Sequence, residues 1–344
     1  MKKMIKGVIL QGLGSVGIAI LVYIISGSIF KAVIIVSFFL LLVIIKPALL
    51  ILNKLTQRTN WYKNQHEDEL KFRKIIPLDL DICNLGSNSG KFAFDYEITG
   101  LKGENWAVGP QTLSYDFRVL KNYFSYLKEG ATVLMPLCPF SSCIKDFEDD
   151  KVNYKYYSFL HPILILNYSK LTNEKVMHFM NKPFQSSPFK SMLRIVSDIS
   201  TSNNKIMDAE SLEVDACKFI GNWKQQFSIS NLDAPVSAKN KDCIIYNTDL
   251  LKEMISFCVE RNLKPVIVIP PVTRALSSKF SETFRENYIY SFIKEANTNQ
   301  VVLLLNYFDD ERFVDSNLYF NSYFLNPKGR KIFTSQVLSD LGLI

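Results

Sequence analysis

The stretch Asp79–Gly90, which reads DLDICNLGSNSG, decides the fold class of this 344-residue chain. Its first half, Asp79–Leu85, has the length and apolar content of a short buried strand, and its second half, Gly86–Gly90, contains only glycine, serine and asparagine. A strand that runs directly into such residues is typical of a strand–loop–helix junction. In a sheet of parallel strands, the loops at the carboxyl ends of the strands carry the functional residues.

Downstream of this junction, helical and strand-like patterns alternate along the chain. This alternation predicts an α/β fold with a parallel sheet covered by helices on both faces. The less regular, aromatic stretch at about residues 150–220 is expected to be a helical insertion or cap within a domain that spans residues 79–344. The predicted elements are a helix over Thr112–Lys128, a strand over Ala131–Leu137, a helix over Asp249–Asn262, a strand over Pro265–Ile269, a helix over Ser278–Ala296, a strand over Val301–Asn306 and a last helix from Pro327 toward Leu338.

Upstream of the junction, the chain is almost wholly apolar from Gly7 to Leu52. A helix of about 20 apolar residues crosses a bilayer, so we expect residues 1–60 to form a membrane anchor of two transmembrane helices, Gly7–Ser26 and Ile29–Leu52. One long or re-entrant anchor and a cleaved signal peptide are the alternatives. Residues 61–78 are expected to be a linker.

The distribution of charge supports a membrane partner and argues against nucleic acid. The first 66 residues hold eight lysines and arginines and no acidic residue, whereas the remainder holds 40 − 8 = 32 cations and 33 anions. A nearly neutral body offers no basic groove for a phosphate backbone. Because the cations flank the apolar segment at both outer ends, the positive-inside rule predicts an integral protein of the cell membrane with a cytoplasmic C-terminal domain. An extracytoplasmic domain is the alternative.

Cofactor and metal motifs are not supported. The six cysteines form no C-x-x-C pair, so a zinc or redox site is not expected. The string GLGSVG at Gly12–Gly17 matches a dinucleotide-binding pattern, but that motif needs an acidic residue about 20 positions later. The next acid is Glu67. We therefore predict no cofactor and no metal.

Four strings in the body of the chain form a recognisable set: DICNLGSNSGKFAFDY (81–96), ENWAVGPQTLSYDFRVLKNYFSYLKEGATVLMPLCPFS (104–141), PVIVIPPVT (265–273) and YFNSYFLNPKGRKIF (319–333). In order and spacing they resemble the SGNH (GDSL-like) hydrolases, and most closely their membrane-associated branch linked to bacterial surface polysaccharides. The resemblance implies a flavodoxin-like three-layer fold and a role in polysaccharide production, with polysaccharide or polysaccharide-assembly proteins as partners.

The catalytic positions that this resemblance implies are occupied by unreactive residues. The family's nucleophilic serine falls on Asn88, and its terminal D-x-x-H pair falls on Asn321 and Phe324. The glycine whose N–H helps to hold the oxyanion falls on Ala107, which retains its backbone donor, and the oxyanion asparagine of the third block has no equivalent. An amide and a benzyl ring cannot activate a hydroxyl, because neither accepts its proton near neutral pH.

Three functional hypotheses remain open from the sequence. The first is a catalytically inactive SGNH-like protein with a binding or assembly role, with ligand contacts from Gly86, Ser87, Asn88 and Ala107. The second is an active esterase or O-acyltransferase that uses Ser87 or Ser89, although turn formation is the ordinary role of these serines. The third is a phosphate- or nucleotide-binding module built on the glycine-rich junction.

A base for the second hypothesis is hard to find among the titratable residues. The chain has only three histidines, His66, His161 and His178, and none of them falls in the C-terminal loop where this fold places the base. His161 is the nearest candidate, although a structural role is the ordinary one for a histidine in an apolar run. Asp315 precedes the C-terminal loop and is expected to be a solvent-exposed loop residue.

Overall fold

The computed structural model describes residues 17, 20–21, 23–25, 28–97, 99–147, 149–197, 207–298 and 302–344. Contacts divide the chain into two compact units. Unit 1 comprises residues 1–70 and 169–201, and unit 2 comprises residues 71–168 and 202–344. The insertion expected at about 150–220 thus contributes residues to both units.

Unit 2 is built on a five-stranded parallel sheet with the order β2-β1-β3-β4-β5. The prediction of an α/β fold with a parallel sheet is confirmed, and the strand order is that of a flavodoxin-like layout. The strands are β1 (Leu80–Asn84), β2 (Gly103–Asn105), β3 (Leu127–Pro136), β4 (Lys264–Ile269) and β5 (Leu303–Asn306).

Helical segments lie in each connection between these strands, since parallel pairing requires a crossover, and further helices precede β1 and follow β5. The helices are α1 (Ile29–Arg58), α2 (Asn60–Gln65), α3 (Glu67–Phe72), α4 (Asn88–Lys91), α5 (Leu113–Tyr123), α6 (Lys170–Asn181), α7 (Pro183–Ser186), α8 (Pro188–Val196), α9 (Ala209–Gln226), α10 (Ala238–Val259), α11 (Arg274–Ser277), α12 (Glu282–Phe284), α13 (Ser291–Ala296) and α14 (Pro327–Asp340). A π-helical segment spans Arg285–Tyr290, and 3-10 turns span Phe124–Tyr126, Ser141–Cys143, Asp150–Ser158, Pro162–Leu164, Glu311–Phe313 and Ser316–Leu318.

The core of unit 2 lies where the sheet meets the last helix. Ile82 on β1 and Val268 on β4 are fully buried and pack in one cluster with Phe333 and Val337 of α14. This arrangement explains the apolar runs of the sequence, because strands covered on both faces need no polar residues in alternation.

Several predicted element boundaries are wrong. The helix predicted over Thr112–Lys128 ends at Tyr123, and strand β3 already begins at Leu127, which pairs with Leu80 of β1. The helix predicted over Asp249–Asn262 begins earlier, at Ala238. The helix predicted over Ser278–Ala296 begins at Glu282 and contains the π-helical segment. Helical spacing of apolar residues could not locate these boundaries because tertiary contacts override local propensity.

In unit 1, the C-terminal part of α1 and the residues that follow it pack against the inserted helices α6 and α7. The Tyr62 hydroxyl donates to the Met180 carbonyl at 2.7 Å, and the Gln57 amide donates to the same oxygen at 3.1 Å. Asn53 Oδ1 accepts the Phe184 N–H at 3.0 Å. These side chain to backbone contacts hold the insertion to α1.

The two predicted transmembrane helices have different outcomes. Most of the first, Gly7–Ser26, lies outside the described residues. The second, Ile29–Leu52, falls within the longer helix α1. Within the described part of the chain, no helix combines the length and the apolar character that crossing a bilayer requires.

Candidate functional site

A cavity of about 270 Å³ lies in unit 2, at the carboxyl ends of β1 and β3. Loops that follow parallel strands converge at this edge of the sheet. The β1–α4 junction contributes Ser87, Asn88 and Ser89 to its lining. The loop after β3, the loop before α14 and helix α9 supply most of the remaining surface. The cavity therefore brings together residues from three of the four quoted strings, 81–96, 104–141 and 319–333.

Glycines give the β1–α4 junction its shape. Gly86 has a φ of +108°, a conformation that favours glycine, and its N–H donates a hydrogen bond to Asp116 Oδ1 at 2.7 Å. A Cβ at Gly90 would lie 2.4 Å from the Leu85 carbonyl oxygen, which is too close for any other residue. This tight turn brings the residues between the two glycines to the cavity.

Asn88 fills the space beside a second loop. A Cβ on Gly109 would lie 1.6 Å from Asn88 Oδ1, so the asparagine side chain occupies the position that a larger residue at 109 would need. The amide thus packs against the loop between β2 and α5 while it lines the cavity. At the position where the resemblance places a nucleophile, the structure has a packed amide.

The two serines that flank Asn88 have different environments. Ser87 Oγ accepts the Gln111 N–H at 2.9 Å and does not cap α4. Ser89 is buried, and among the described residues its Oγ has no hydrogen bond of good geometry. Ser87 is therefore held in place by the neighbouring loop, whereas the Ser89 hydroxyl is desolvated beside the cavity.

Tyr323 lies near the Ser89 hydroxyl, and both residues line the cavity and a smaller recess next to it. Burial raises the pKa of Tyr323 well above its usual value, the adjacent Cys138 adds to this effect, and the Ser89 hydroxyl partly offsets it. A phenol with a raised pKa stays protonated at neutral pH, so it cannot accept the serine proton.

The loop before α14 places Asn321 and Phe324 in structural roles. Asn321 Oδ1 accepts the backbone N–H groups of Tyr323 at 3.0 Å and Phe324 at 2.7 Å, which closes a turn. The Phe324 ring packs against the rings of Phe92 and Phe219, with centroid distances of 5.1 and 6.1 Å. Phe324 also lines the cavity together with Asn88, so the structure brings these two sequence-predicted positions to one site.

A buried contact with α9 fixes the same loop. The backbone N–H and the hydroxyl of Ser322 donate to Asp215 Oδ2 at 2.9 and 2.6 Å. The Ser322 carbonyl in turn accepts the Thr273 N–H at 3.1 Å. The position of Phe324 is therefore supported by contacts of Ser322 that do not depend on the Phe324 side chain.

Ala107 does not offer its N–H to the cavity. That N–H donates to Asn105 Oδ1 at 3.0 Å, and the Ala107 carbonyl accepts a hydrogen bond from Lys71 at 2.6 Å. The residue is fully buried and is not part of the cavity lining. The backbone donor expected for an oxyanion is engaged elsewhere.

None of the three histidines lines the cavity. His161 is exposed, and its Nδ1 accepts the Ile163 N–H at 3.4 Å, which caps the 3-10 turn that follows. His66 and His178 belong to unit 1. Asp315 caps the turn Ser316–Leu318 by accepting the Asn317 N–H. His161 and Asp315 therefore have local capping roles.

Asp116 is a cavity residue that the sequence reading missed. Burial raises the pKa of this carboxyl to about 7, although hydrogen bonds from the Gln111 amide and the Gly86 N–H act in the opposite direction. A signal for this residue exists in the sequence. Asp116 lies at the i+3 position from Leu113 and at i−4 from Leu120, so it shares the apolar face of α5, where an acid is unusual.

Gln111 links Asp116 to the rest of the site. Its side-chain N–H donates to Asp116, its side-chain oxygen accepts the Tyr156 hydroxyl at 2.9 Å, and its backbone N–H donates to Ser87. Tyr156 stacks on Tyr115 with a ring-centroid distance of 3.8 Å. This network holds the polar groups on one side of the cavity in fixed positions.

The opposite wall is aromatic and comes largely from α9. Phe219, Trp223 and Phe227 line the cavity along one helical face, and Phe140 from the loop after β3 contacts both Trp223 and Phe227 at 4.8–4.9 Å. The helical insertion predicted at about residues 150–220 includes Phe219 but ends before Trp223 and Phe227. The wall turns the cleft into an apolar site with a few polar groups, the composition typical of small-molecule pockets.

The lining offers little to a metal or an anion. Among the described residues, no group of three or more histidine, cysteine or acidic side chains is placed to hold a metal ion. The described residues that line the cavity include the Asp116 carboxyl but no lysine or arginine. Among these residues, a phosphate would meet no opposite charge.

Comparisons with known proteins add no assignment to this geometry. No protein-family model matches the chain, and no curated protein is similar to it. Function must therefore be argued from the cavity and from the residues around it.

Proposed function

We propose that this protein is a membrane-attached binding component built on an SGNH-hydrolase-like domain that lacks catalytic machinery. Its ligand is an uncharged carbohydrate, and its role is in surface-polysaccharide production. One observation carries this proposal: Asn88 and Phe324, which stand where the resemblance expects a nucleophile and a base, line one cavity whose opposite wall is aromatic.

The chemistry of the lining supports a neutral, hydroxyl-rich ligand. Aromatic rings such as Trp223 and Phe219 present flat apolar faces to the C–H surface of a sugar. Amides and hydroxyls such as Asn88, Gln226 and Ser141 both donate and accept hydrogen bonds, as sugar hydroxyls do. The volume is just below the range of roughly 300–1,000 Å³ for small-molecule sites, which suits the end of a glycan or one branch.

Absence of turnover follows from the side chains at the reacting positions. An asparagine amide is not a nucleophile, and a phenylalanine ring neither accepts nor donates a proton. The Ala107 N–H, the one oxyanion donor that the resemblance retained, is bonded to Asn105. A ligand that enters the cavity is therefore held without being cleaved.

The N-terminal segment supports attachment to a membrane. The first 66 residues carry eight cations and no acid, and helix α1 exposes large apolar side chains along its length. Ile29, Phe30, Ile34 and Phe38 are each more than half exposed, which is unusual for a helix that faces water. We propose that this segment attaches the protein to the cell membrane.

The binding proposal is tested by calorimetry on the detergent-solubilised full chain. Neutral oligosaccharides of glucose and of N-acetylglucosamine, with and without O-acetyl groups, are the probes, with inorganic phosphate and ADP as charged comparisons. We expect binding of at least one neutral glycan, and loss of binding in Trp223→Ala. Phe189→Ala, which removes an exposed ring of unit 1, is the matched control. Binding of phosphate or ADP alone would overturn the proposal.

A second candidate function is acyl transfer through Ser89. The specific observation in its favour is the buried Ser89 hydroxyl without a hydrogen bond of good geometry, in a cavity that also contains a carboxyl with a pKa of about 7. A small activated acyl ester tests it. Turnover that disappears in Ser89→Ala but persists in Ser87→Ala would show that Ser89 is the nucleophile of an enzyme. It would also reject the proposal that the domain lacks catalytic machinery.

A further inference from the structure

Helix α8 of unit 1 presents one apolar face to its surroundings. Phe189 and Val196 are about 80% exposed, and Met192 and Leu193 are about half exposed. These positions follow the spacing i, i+3, i+4 and i+7, which places all four side chains on a single stripe. We call these four residues the α8 stripe.

The opposite side of α8 is the side that packs within unit 1. Ser191 is fully buried and donates a hydrogen bond to the Pro183 carbonyl at 3.2 Å. Lys190, on the flank of the stripe, lies 4.9 Å from the centre of the Trp61 ring. Because the buried side of the helix is held in this way, exposure of the stripe is a consequence of packing rather than of a loose helix.

Unit 1 carries a net positive charge. Residues 1–70 and 169–201 contain 13 lysines and arginines and five acids, Glu67, Asp68, Glu69, Glu174 and Asp198. Lys190 and Arg194 are four residues apart on one side of α8, between the stripe and the buried Ser191. An apolar stripe with cations along one side matches a surface that is apolar inside and anionic outside.

We infer that the α8 stripe lies in the interfacial layer of a bilayer that contains anionic lipids. The apolar side chains enter the boundary between headgroups and acyl chains, and the positive charge of Lys190 and Arg194 beside them attracts the anionic headgroups. A second copy of the chain is a poorer occupant because it would bring two cationic flanks together. The inference rests on the proposed membrane attachment and adds a second contact to it, formed by the insertion and not by α1.

The test uses the full chain reconstituted with phospholipid vesicles and has two readouts. Flotation with the vesicles reports attachment as a whole. Tryptophan emission of Phe189→Trp, compared with the native chain, reports the stripe when the acyl chains carry bromine, which quenches indole on contact. Vesicles are made from phosphatidylcholine with or without phosphatidylglycerol. The matched variant carries Lys190→Gln and Arg194→Gln in addition to Phe189→Trp.

We expect the added tryptophan to lose most of its emission on brominated vesicles that contain phosphatidylglycerol. The loss should shrink on phosphatidylcholine alone and in the variant without the two flanking cations. Flotation without quenching of the added tryptophan would overturn the inference and leave membrane attachment standing. Failure to float would overturn both. Emission changes that track protein concentration without vesicles would identify a second copy as the occupant and also overturn the inference.

Discussion

The cavity of unit 2 and the α8 stripe of unit 1 are both apolar surfaces, but they differ in their polar neighbours. The cavity is edged by amides, hydroxyls and one buried carboxyl, whereas the stripe is edged by Lys190 and Arg194. We propose a ligand for each surface from these polar neighbours: a neutral hydroxyl-rich molecule for the cavity and an anionic lipid surface for the stripe.

The largest expected effect is on stability and concerns the Asp116 carboxyl of the cavity. Unfolded Asp116 ionises near pH 3.8 and folded Asp116 near pH 7, so between these values the folded state holds a proton that the unfolded state has lost. The free energy of unfolding should therefore fall as pH rises through this window, by roughly 4 kcal/mol in total. Asp116→Asn should remove this fall. Urea unfolding of both proteins at a series of pH values measures this dependence. If the unfolding free energies of the native protein and of Asp116→Asn changed with pH in the same way, the Asp116 carboxyl would not be desolvated.

The next effect concerns the turn that carries Asn88 to the cavity. Gly90→Ala places a Cβ 2.4 Å from a backbone carbonyl, so we expect a loss of roughly 3 kcal/mol in unfolding free energy. Gly221→Ala in α9 is the matched control, because nothing lies within 4 Å of its added Cβ. The control should be neutral or slightly stabilising, since alanine favours a helix. Equal stability of both variants would contradict the tight junction.

The aromatic wall should dominate affinity for the glycan. Trp223→Ala should weaken binding by roughly tenfold to a hundredfold, as expected for loss of about 1.5–3 kcal/mol of aromatic contact. The same variant should leave flotation with vesicles unchanged, because Trp223 belongs to unit 2. Loss of both properties together would show that the variant is misfolded or that the two surfaces are not independent.

A substitution on the α8 stripe should have the opposite pattern, with an effect on the membrane contact and none on glycan binding. In native protein, vesicles that contain phosphatidylglycerol should slow hydrogen exchange of the backbone amides of α8 several-fold, because interfacial insertion excludes water from the helix. Phe189→Glu should abolish this protection and leave glycan affinity intact. Mass spectrometry of the peptide that contains Pro188–Val196 measures the protection. Unchanged protection in the variant would place the membrane contact elsewhere.

The smallest effect is the activity expected on restoring the family's catalytic residues. Asn88→Ser, Asn321→Asp and Phe324→His together should give slow hydrolysis of an activated ester, since the three positions meet at or beside one cavity. The aspartate keeps the acceptor that closes the loop. A folded but inactive triple variant would count against the resemblance.

The fold was predictable because its signals are local and repeated. Buried strand runs followed by turns, such as Asp79–Gly90, identify a parallel α/β sheet without any knowledge of contacts. Strand β2 was missed because three residues, Gly103–Asn105, are too few for a periodicity and depend on pairing with β1.

The candidate site was predictable only in part. Asn88 and Phe324 were found through their place in sequence motifs, and they line the same cavity. The engagement of the Ala107 N–H by Asn105 and the aromatic wall of α9 could not be derived, because both depend on contacts between distant segments. The raised pKa of Asp116 likewise arises from burial that only the packed domain provides.

The central claim is that the cavity holds a glycan without reacting with it. Mass spectrometry of the native protein and of an O-acetylated oligosaccharide, after calorimetry has shown saturation of the same sample, tests this directly. The account predicts that both masses stay unchanged while the ligand is bound. An acetyl group on the peptide that contains Ser87 and Ser89, or its loss from the oligosaccharide, would contradict it.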